Sequence, residues 1–374
     1  MPDVIDLYAG AGGLSLGAAR AGFSVVAAVE NDRHALSTHC KNFTHTIHLN
    51  ADVASLSGDG LLETAGLRPG ALDGMIGGPP CQGFSHIGQK QEGDNRNEQF
   101  VQFFRLVSEA QPKFFLAENV PGILDPRFDN LRQQAVALVA DGYDILKPIK
   151  VTASEYGAPT LRTRIFFIGY KSRYFNPLNE GMFGPPNDAE EVCVREALRG
   201  LPREIDPDWQ AEKQGWQRVR HTWTGYYAKR LSGHIPENVG DPKALERLEV
   251  RGKVSGCLGT RHTAEVAARY EALSPGESDT VSKAVKLIPD GFCPTLRAGT
   301  GSDRGSYQAV RPVHYLRPRV ITPREGARLQ GFPDWFVFHP TKWHSFRQIG
   351  NSVSPLVAER LLKVLADNLL DADG

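Results

Sequence analysis

The chain has 374 residues, 43 basic side chains against 43 acidic ones, 41% hydrophobic and 23% charged residues, proportions that exclude disordered, collagen-like and fibrous classes. No apolar run approaches the roughly 18 residues of a membrane span, and the opening MPDVIDLYAG lacks the basic start and apolar core of a secretion signal, so the cytoplasm is the expected location. Cys40, Cys81, Cys193, Cys257 and Cys293 are scattered and never form C-x-x-C, which points away from disulfides and zinc; no metal is expected, and any cysteine of interest is a free thiol.

The length suggests two domains, or one with a large insertion. Net charge is unevenly spread: residues 1–200 carry 18 basic and 23 acidic side chains, residues 201–320 carry 19 and 14, and residues 321–374 carry 6 and 6. The basic middle is a weak pointer to a polyanionic partner, and a chance surplus on a solvated surface explains it equally well.

In chain order, VIDLYAG reads as a strand, LSLGAARAG as a helix closed by Gly22, and FSVVAAVE as a second strand. LDGMIGGPP and KFFLAENV follow as strands, the second preceded by the helical FVQFFRLVSEAQ, with RIFFIGY further on. This alternation predicts an α/β fold with a doubly wound, mostly parallel sheet and sites at the carboxyl ends of its strands. After Tyr170 the pattern gives way to FNPLNEGMFGPPNDAE and an irregular stretch, in which TAEVAARYEAL predicts a helix and AVRPVHYL strands. The apolar spacing of SPLVAERLLKVLADNLL predicts a closing helix packed on the sheet. The expected division is a catalytic and cofactor-binding domain over 1–179, completed by a C-terminal helix over 341–374. A smaller irregular target-recognition domain and its connecting segment would occupy 180–340.

Four stretches carry candidate chemistry. The first strand runs into a glycine-rich turn, Gly10-Ala11-Gly12-Gly13, and Ser15 stands where the dinucleotide fingerprint needs a third glycine. With Glu30 ending the next strand, the turn suits a nucleoside-bearing ligand held through its ribose; alone it is weak evidence, and a structural tight turn is the lesser alternative. Gly77-Gly78-Pro79-Pro80-Cys81 presents one cysteine at the end of a strand, ahead of a polar run, the layout of a nucleophile under a lid; the alternative is a buried small hydrophobe. KFFLAENV delivers Glu118 and Asn119 from an apolar strand, where desolvation favours the neutral acid and makes Glu118 a proton donor, although the same residues make a good turn. Arg162-Thr163-Arg164 sets two guanidinium groups on one face of an extended segment, suited to an anion, a base edge, the carboxylate, or a plain surface ion pair.

In this order, and with Asn50-Ala51-Asp52-Val53, YGAPTLRTR, RVITPRE, RLQGFP and QIGNSV, the sequence resembles the bacterial type of the DNA cytosine-5 methyltransferase family. The resemblance runs from Asp6 to about residue 180 and again from about 294 to 358. It implies an S-adenosylmethionine-dependent methyltransferase fold and transfer of a methyl group to carbon 5 of cytosine within a specific DNA sequence, releasing S-adenosylhomocysteine. Cys81 is then the nucleophile that adds to carbon 6 of a flipped-out base. Glu118 acts at N3, and Arg164 with Arg162 holds the base and the carboxylate. By position match the cofactor residues are Tyr8, Gly10, Gly12, Glu30, Asn31, Asp52, Val53, Pro80, Asn351 and Val353; Asn31 departs from the aromatic or large apolar residue usual at its position. Thr160 replaces the glutamine often found before the paired arginines.

Ser85, His86 and Ile87 lie in the loop that would close over the base. In the basic middle segment Arg218, Arg220, Arg261, His262, Arg297 and Arg304 are candidates for DNA contact. The implied partner is double-stranded DNA, with no membrane, and the implied state a monomer. The chain starts almost at its first strand, which leads to the expectation of a stand-alone modification enzyme, with a cognate restriction endonuclease acting separately or with none. The competing readings are an RNA cytosine methyltransferase on the same fold, a non-catalytic DNA-binding relative, and, more distantly, a nicotinamide-dependent oxidoreductase.

Overall fold

The computed structural model describes residues 1–80, 98–205, 214–220, 224–298 and 310–370. Cys81, Ser85, His86, Ile87 and Arg304 lie outside the described residues.

The first half is built from β1 (Asp3–Leu7), α1 (Gly13–Ala21), β2 (Ser24–Val29), α2 (Arg33–Asn42), β3 (Ile47–Leu49), α3 (Gly58–Thr64), β4 (Gly74–Gly77), α4 (Glu98–Ala110), β5 (Phe114–Asn119) and α5 (Asp129–Ala137). It ends in β6 (Asp144–Ile145), β7 (Ile149–Thr152) and β8 (Thr163–Tyr170). Among the described residues these strands form one eight-stranded sheet in the order β3-β2-β1-β4-β5-β8-β6, with β7 also paired to β8. The five strands from β3 to β5 are mutually parallel, whereas β6, β7 and β8 are antiparallel to their neighbours. RIFFIGY therefore runs against the direction of the strands before it. A fully buried strand shows the same continuous apolar run in either direction, so sequence pattern cannot assign its sense.

The chain builds outward from β1 to β2 and β3, then returns to place β4 on the other side of β1. The carboxyl ends of β1 and β4 thus flank the switch point at which open α/β sheets bind their ligands. Alternating side chains feed two cores. Phe114 and Leu116 of β5 and Phe166 and Ile168 of β8 face one; Phe115, Ala117, Ile165 and Phe167 face the other, as the period of two requires. The second core is closed by Phe100, Phe103, Phe104 and Val107, buried along one face of α4.

The first core is closed by α1 and the C-terminal helix. Gly22, in the left-handed conformation at φ 99°, stops α1 and returns its N–H to Ala18 and Ala19. A Cβ at Gly17 would stand 2.3 Å from the Cβ of Ala358, so the two helices touch through that glycine. The closing helix expected over 341–374 is in fact two, α11 (Lys342–Asn351) and α12 (Pro355–Asn368). They part at Ser352–Ser354 because Pro355 has no N–H to continue α11 and opens a new first turn.

Between the halves lie α6 (Val194–Ala197), β9 (Gln217–Arg218), α7 (Tyr226–Ser232), α8 (Pro242–Arg251), β10 (Lys253–Val254) and α9 (Ala264–Ala272), followed by α10 (Pro323–Leu329), α11 and α12. The helix expected in TAEVAARYEAL is α9, started by the Thr263 side chain accepting from the Val266 N–H. The strands expected in AVRPVHYL are absent from the described part of that segment, where Val313 makes isolated bridges to Lys286 and Val320. Pro312 in this segment and Pro318 just beyond it have no N–H for a longer ladder. No helix among the described residues is long and apolar enough to cross a membrane.

Candidate active site

The glycine turn forms where β1 ends. Tyr8 takes a left-handed φ of 59° and Gly10 one of 58°, which folds the backbone back across the strand end. The Gly10 N–H donates to Glu30 Oε2 at 2.9 Å, and the Asp32 N–H donates to Glu30 Oε1 at 2.8 Å. Burial raises the pKa of Glu30 while these backbone donors lower it. Each carboxylate oxygen keeps a lone pair for a further donor. Asn50 Nδ2 ties down the carbonyls of Glu30 and Asn31 at 2.9 and 3.1 Å, and Asn31 itself is exposed.

Asp52, exposed beside the same edge, caps the turn that begins at Val53 and accepts from Gln99 Nε2 at 3.2 Å. Gln99 also accepts the Tyr8 hydroxyl at 2.8 Å; desolvation pushes the Tyr8 phenol well above its ordinary pKa. Gln99 therefore joins Tyr8 to Asp52, a role that no motif in the sequence announces.

The C-terminal segment completes this edge. A Cβ at Gly13 would lie 2.4 Å from the Val353 carbonyl oxygen and 3.2 Å from Ser352 Cβ, so the start of α1 rests on the stretch between α11 and α12. Glycine turn, Glu30, Asp52 and Asn351-Ser352-Val353 thus meet although they lie at opposite ends of the chain.

A second group forms at the ends of β4 and β5. Glu118, 8% exposed, stands 2.5 Å from Arg164 Nε through Oε1, an ion pair rather than a well-directed hydrogen bond. The apolar surroundings expected from KFFLAENV are therefore incomplete: antiparallel β8 lays an arginine beside the carboxylate. Strand pairing causes this, because Glu118 is in register with Phe166 two residues beyond Arg164. A Cβ at Gly78 would come within 2.9 Å of Glu118 Oε2, so the chain leaving β4 passes directly over this carboxylate. Asn119 Nδ2 donates to the Pro79 carbonyl at 3.5 Å and its Oδ1 accepts from the Val120 N–H at 2.8 Å. The end of β5 thus fixes the Pro79-Pro80 turn, the last described residues before Cys81.

Arg162 plays a different part from Arg164. It is buried and donates to the carbonyls of Leu296 and Asn351, at 3.3 and 3.2 Å, bracing the entry of β8 against the C-terminal segment. Among the DNA-contact candidates, Arg218, Arg220, Arg261 and Arg297 are exposed. Arg297 lies beside Gly350, whose Cβ would meet the Arg297 carbonyl carbon at 2.6 Å, so it flanks the Asn351 edge. His262 Nε2 accepts from the Val320 N–H at 3.3 Å and its ring packs edge-on against Tyr270, an internal role.

The RVITPRE and RLQGFP stretches show why they accompany the site. Thr322 and Glu325 form a reciprocal cap on α10. Buried Arg324 donates to the carbonyls of Ser255, Pro333 and Phe336, and Arg328 pairs with Asp334. A cavity of about 370 Å³ lined by Cys193, Arg195, Arg203, His314 and Glu325 includes none of the predicted catalytic or cofactor residues; the convergence of side chains, not cavity size, marks the site.

The model of the family described as C-5 cytosine-specific DNA methylase matches residues 3–367. The chain belongs to that family. The Type II methyltransferase M.XorII of Xanthomonas oryzae pv. oryzae is 39% identical over 363 residues, covering 96% of this chain and 82% of that protein. M.DdeI of Desulfomicrobium norvegicum is 31% identical, over 96% of this chain and 87% of its own length. An E. coli crystal structure assigned as a prophage-encoded DNA modification methyltransferase is 50% identical, with a TM-score of 0.88 over 98% of this chain and 99% of the other. The Schizosaccharomyces pombe Dnmt2 methyltransferase shares the fold at 15% identity and a TM-score of 0.62.

This methylase therefore acts on DNA cytosine at carbon 5 and uses S-adenosylmethionine. The donor set fits that cofactor. Glu30 and Asp52 offer carboxylates suited to ribose hydroxyls and amino groups, and the left-handed glycine turn leaves room for close backbone approach.

Proposed function

We propose that this methylase modifies cytosine within a specific DNA sequence through a covalent Cys81 adduct on a base swung out of the duplex. The observation that carries the reading is the convergence of Glu118, Arg164 and the Pro79-Pro80 turn at adjacent strand ends. In this reading Cys81, as thiolate, forms a bond to carbon 6, and the ring electrons move toward N3 and carbon 5. Glu118 hydrogen-bonds or protonates N3, so that charge does not accumulate on the ring, while Arg164 holds the carboxylate toward the base. Carbon 5 becomes enamine-like and nucleophilic.

S-adenosylmethionine, when bound, supplies an electrophilic methyl group on a sulfonium. Tyr8, Gly10, Gly12, Glu30, Asn31, Asp52, Val53, Pro80, Asn351 and Val353 would hold it, and Arg162 keeps the Asn351 edge in place. After methylation, loss of the carbon 5 proton lets Cys81 depart and restores the aromatic ring. Ser85, His86 and Ile87 would close over the displaced base. Residues 180–340 would read the target through exposed Arg218, Arg220, Arg261 and Arg297, together with Arg304. A modification role, with or without a partner endonuclease, is supported by the Type II methyltransferase names of its relatives.

Bisulfite sequencing of DNA from cells expressing the chain tests both activity and target. One methylated sequence is expected with the native chain, none with Cys81→Ala, and a loss of about 10²–10⁴ in rate with Glu118→Gln. Unchanged methylation by Cys81→Ala, or activity confined to transfer RNA, would overturn the proposal.

A further inference from the structure

Three histidines meet on the surface where α2 approaches the segment leading into α11. His34 Nδ1 and His339 Nε2 are 3.1 Å apart. The rings of His34 and His344 overlap with centroids 3.8 Å apart. One ring nitrogen from each of His34, His339 and His344 lies within 4.8 Å of the others. A tetrahedral zinc ion with Zn–N bonds of about 2.0–2.1 Å sets its nitrogen ligands roughly 3.3 Å apart, so modest ring rotations bring all three onto one ion. Imidazole triads suit zinc, nickel and copper, and select against magnesium and calcium, which prefer oxygen.

We infer that His34, His339 and His344 form a binding site for a zinc-type transition-metal ion, which staples α2 to the C-terminal segment.

The surroundings favour ligation over simple stacking. The backbone of each arm is held independently of the rings: Gln348 Nε2 donates to the His34 carbonyl at 2.9 Å, and Ser345 Oγ donates to the His339 carbonyl. His339 Nδ1 lies 3.0 Å from Thr341 Oγ1, an acceptor for the Nδ1 proton when Nε2 takes a metal, as outer partners of metal-bound histidines do. Without metal, the Thr341 N–H donates to that Nδ1 at 3.1 Å, so Nε2 carries the proton and donates it to His34. Ligation through Nε2 moves this proton to Nδ1, which then turns to Thr341 Oγ1 and gives up the Thr341 N–H bond.

Asp32, the cap of α2, provides negative charge near His339 and His344, whereas Lys41 and Arg347 oppose a cation there. Three protein ligands leave a fourth position for water.

Among the described residues the three rings contact none of the predicted catalytic residues, and the site adjoins the methyl-transfer machinery through shared elements and through Asp32, whose N–H donates to Glu30. His34 follows Glu30 and Asn31 at the start of α2, and Asn351 closes the helix that carries His344.

Isothermal titration of the metal-free full chain with Zn²⁺, and with Mg²⁺ as a control, tests the inference alongside thermal melts. One equivalent of Zn²⁺ at micromolar affinity or better is expected, with no Mg²⁺ binding and a Zn²⁺-dependent rise in Tm. His339→Ala and His344→Ala should each weaken Zn²⁺ at least tenfold and abolish the Tm rise, and His45→Ala, an exposed histidine outside the cluster, should change neither. Circular dichroism of each variant without metal establishes that it folds. Failure of the native chain to bind Zn²⁺ at 100 μM, or equal binding by the folded double variant His339→Ala/His344→Ala, would overturn the site and leave a stacked ring cluster.

Discussion

Replacing Gly13 by alanine separates two physical arguments of opposite sign. Gly13 opens α1 with helical backbone, so propensity alone makes alanine better by about 0.8–1 kcal/mol. The added Cβ, however, would sit 2.4 Å from the Val353 carbonyl oxygen and 3.3 Å from the Val353 nitrogen. Ordinary contact needs close to another ångström, and the obstacle is backbone, which cannot rotate aside. Overpacking of this kind costs about 1–3 kcal/mol, and the upper half of that range applies when no side chain can yield.

The expected net loss for Gly13→Ala is therefore about 1–2 kcal/mol. Because the displaced stretch carries Asn351 and Val353, S-adenosylmethionine affinity should fall about tenfold, equivalent to 1.4 kcal/mol. Thermal melts and calorimetric titration with the cofactor measure the two effects. Gly22→Ala, at the other end of α1, is the control: its φ of 99° strains any side chain by about 1–2 kcal/mol, yet nothing lies within 4 Å of the new Cβ. It should lower Tm and leave cofactor affinity unchanged. A Gly13→Ala protein that melts at or above the native Tm and binds the cofactor normally would refute the close approach of α1 to Val353.

Two further outcomes follow from buried polar groups. Beneath the glycine turn, Ser15 Oγ donates to Asp6 Oδ2 at 2.6 Å, with His39 Nε2 2.9 Å from Ser15 and His39 Nδ1 2.8 Å from His48. Burial raises Asp6 to about 7 and lowers His39 well below its ordinary pKa. Asp6 therefore contributes stability at low pH that is lost as pH rises from about 4 through 7, on the order of 4 kcal/mol, and His39 contributes stability above about 6.5 that is lost on acidification. The Tm of the native chain relative to Asp6→Asn should fall between pH 4 and 7 and level off above about 8; a constant difference across that range would contradict the buried network. Arg324→Ala should destabilise by about 3–5 kcal/mol, because three carbonyls lose a charged donor inside the protein, and chemical denaturation showing a loss below 1 kcal/mol would contradict it.

Much of the catalytic half was legible because its signals are local. The runs around β1, β2, β4 and β5 are mostly apolar, as strands buried between helices must be, with Glu118 at the end of β5, Glu30 just beyond β2, and Asp6 buried within β1 as the exception. Gly22, Thr263 and Pro355 mark helix boundaries through backbone geometry that depends on a few neighbours alone. The helices α2 and α3 have little local signal because HALSTHCKN is mostly polar and GDGLLET offers two adjacent leucines between glycines and acidic residues. The short bridges near Val313 depend on partners far away in sequence, which no local pattern records.

The sequence by itself determined the family and the order of its motifs, since those rest on side-chain type and on the residues flanking each strand end. Tertiary structure decided their division of labour. Antiparallel pairing of β8 places Arg164 against Glu118, and Arg162 turns instead to the carbonyls of Leu296 and Asn351. It also gathered His34 with His339 and His344, and Gly13 with Val353, across nearly the whole length of the chain. Contacts of that separation arise because the C-terminal helices return to pack against α1 and α2 beside the same core, a three-dimensional constraint with no trace in residue spacing.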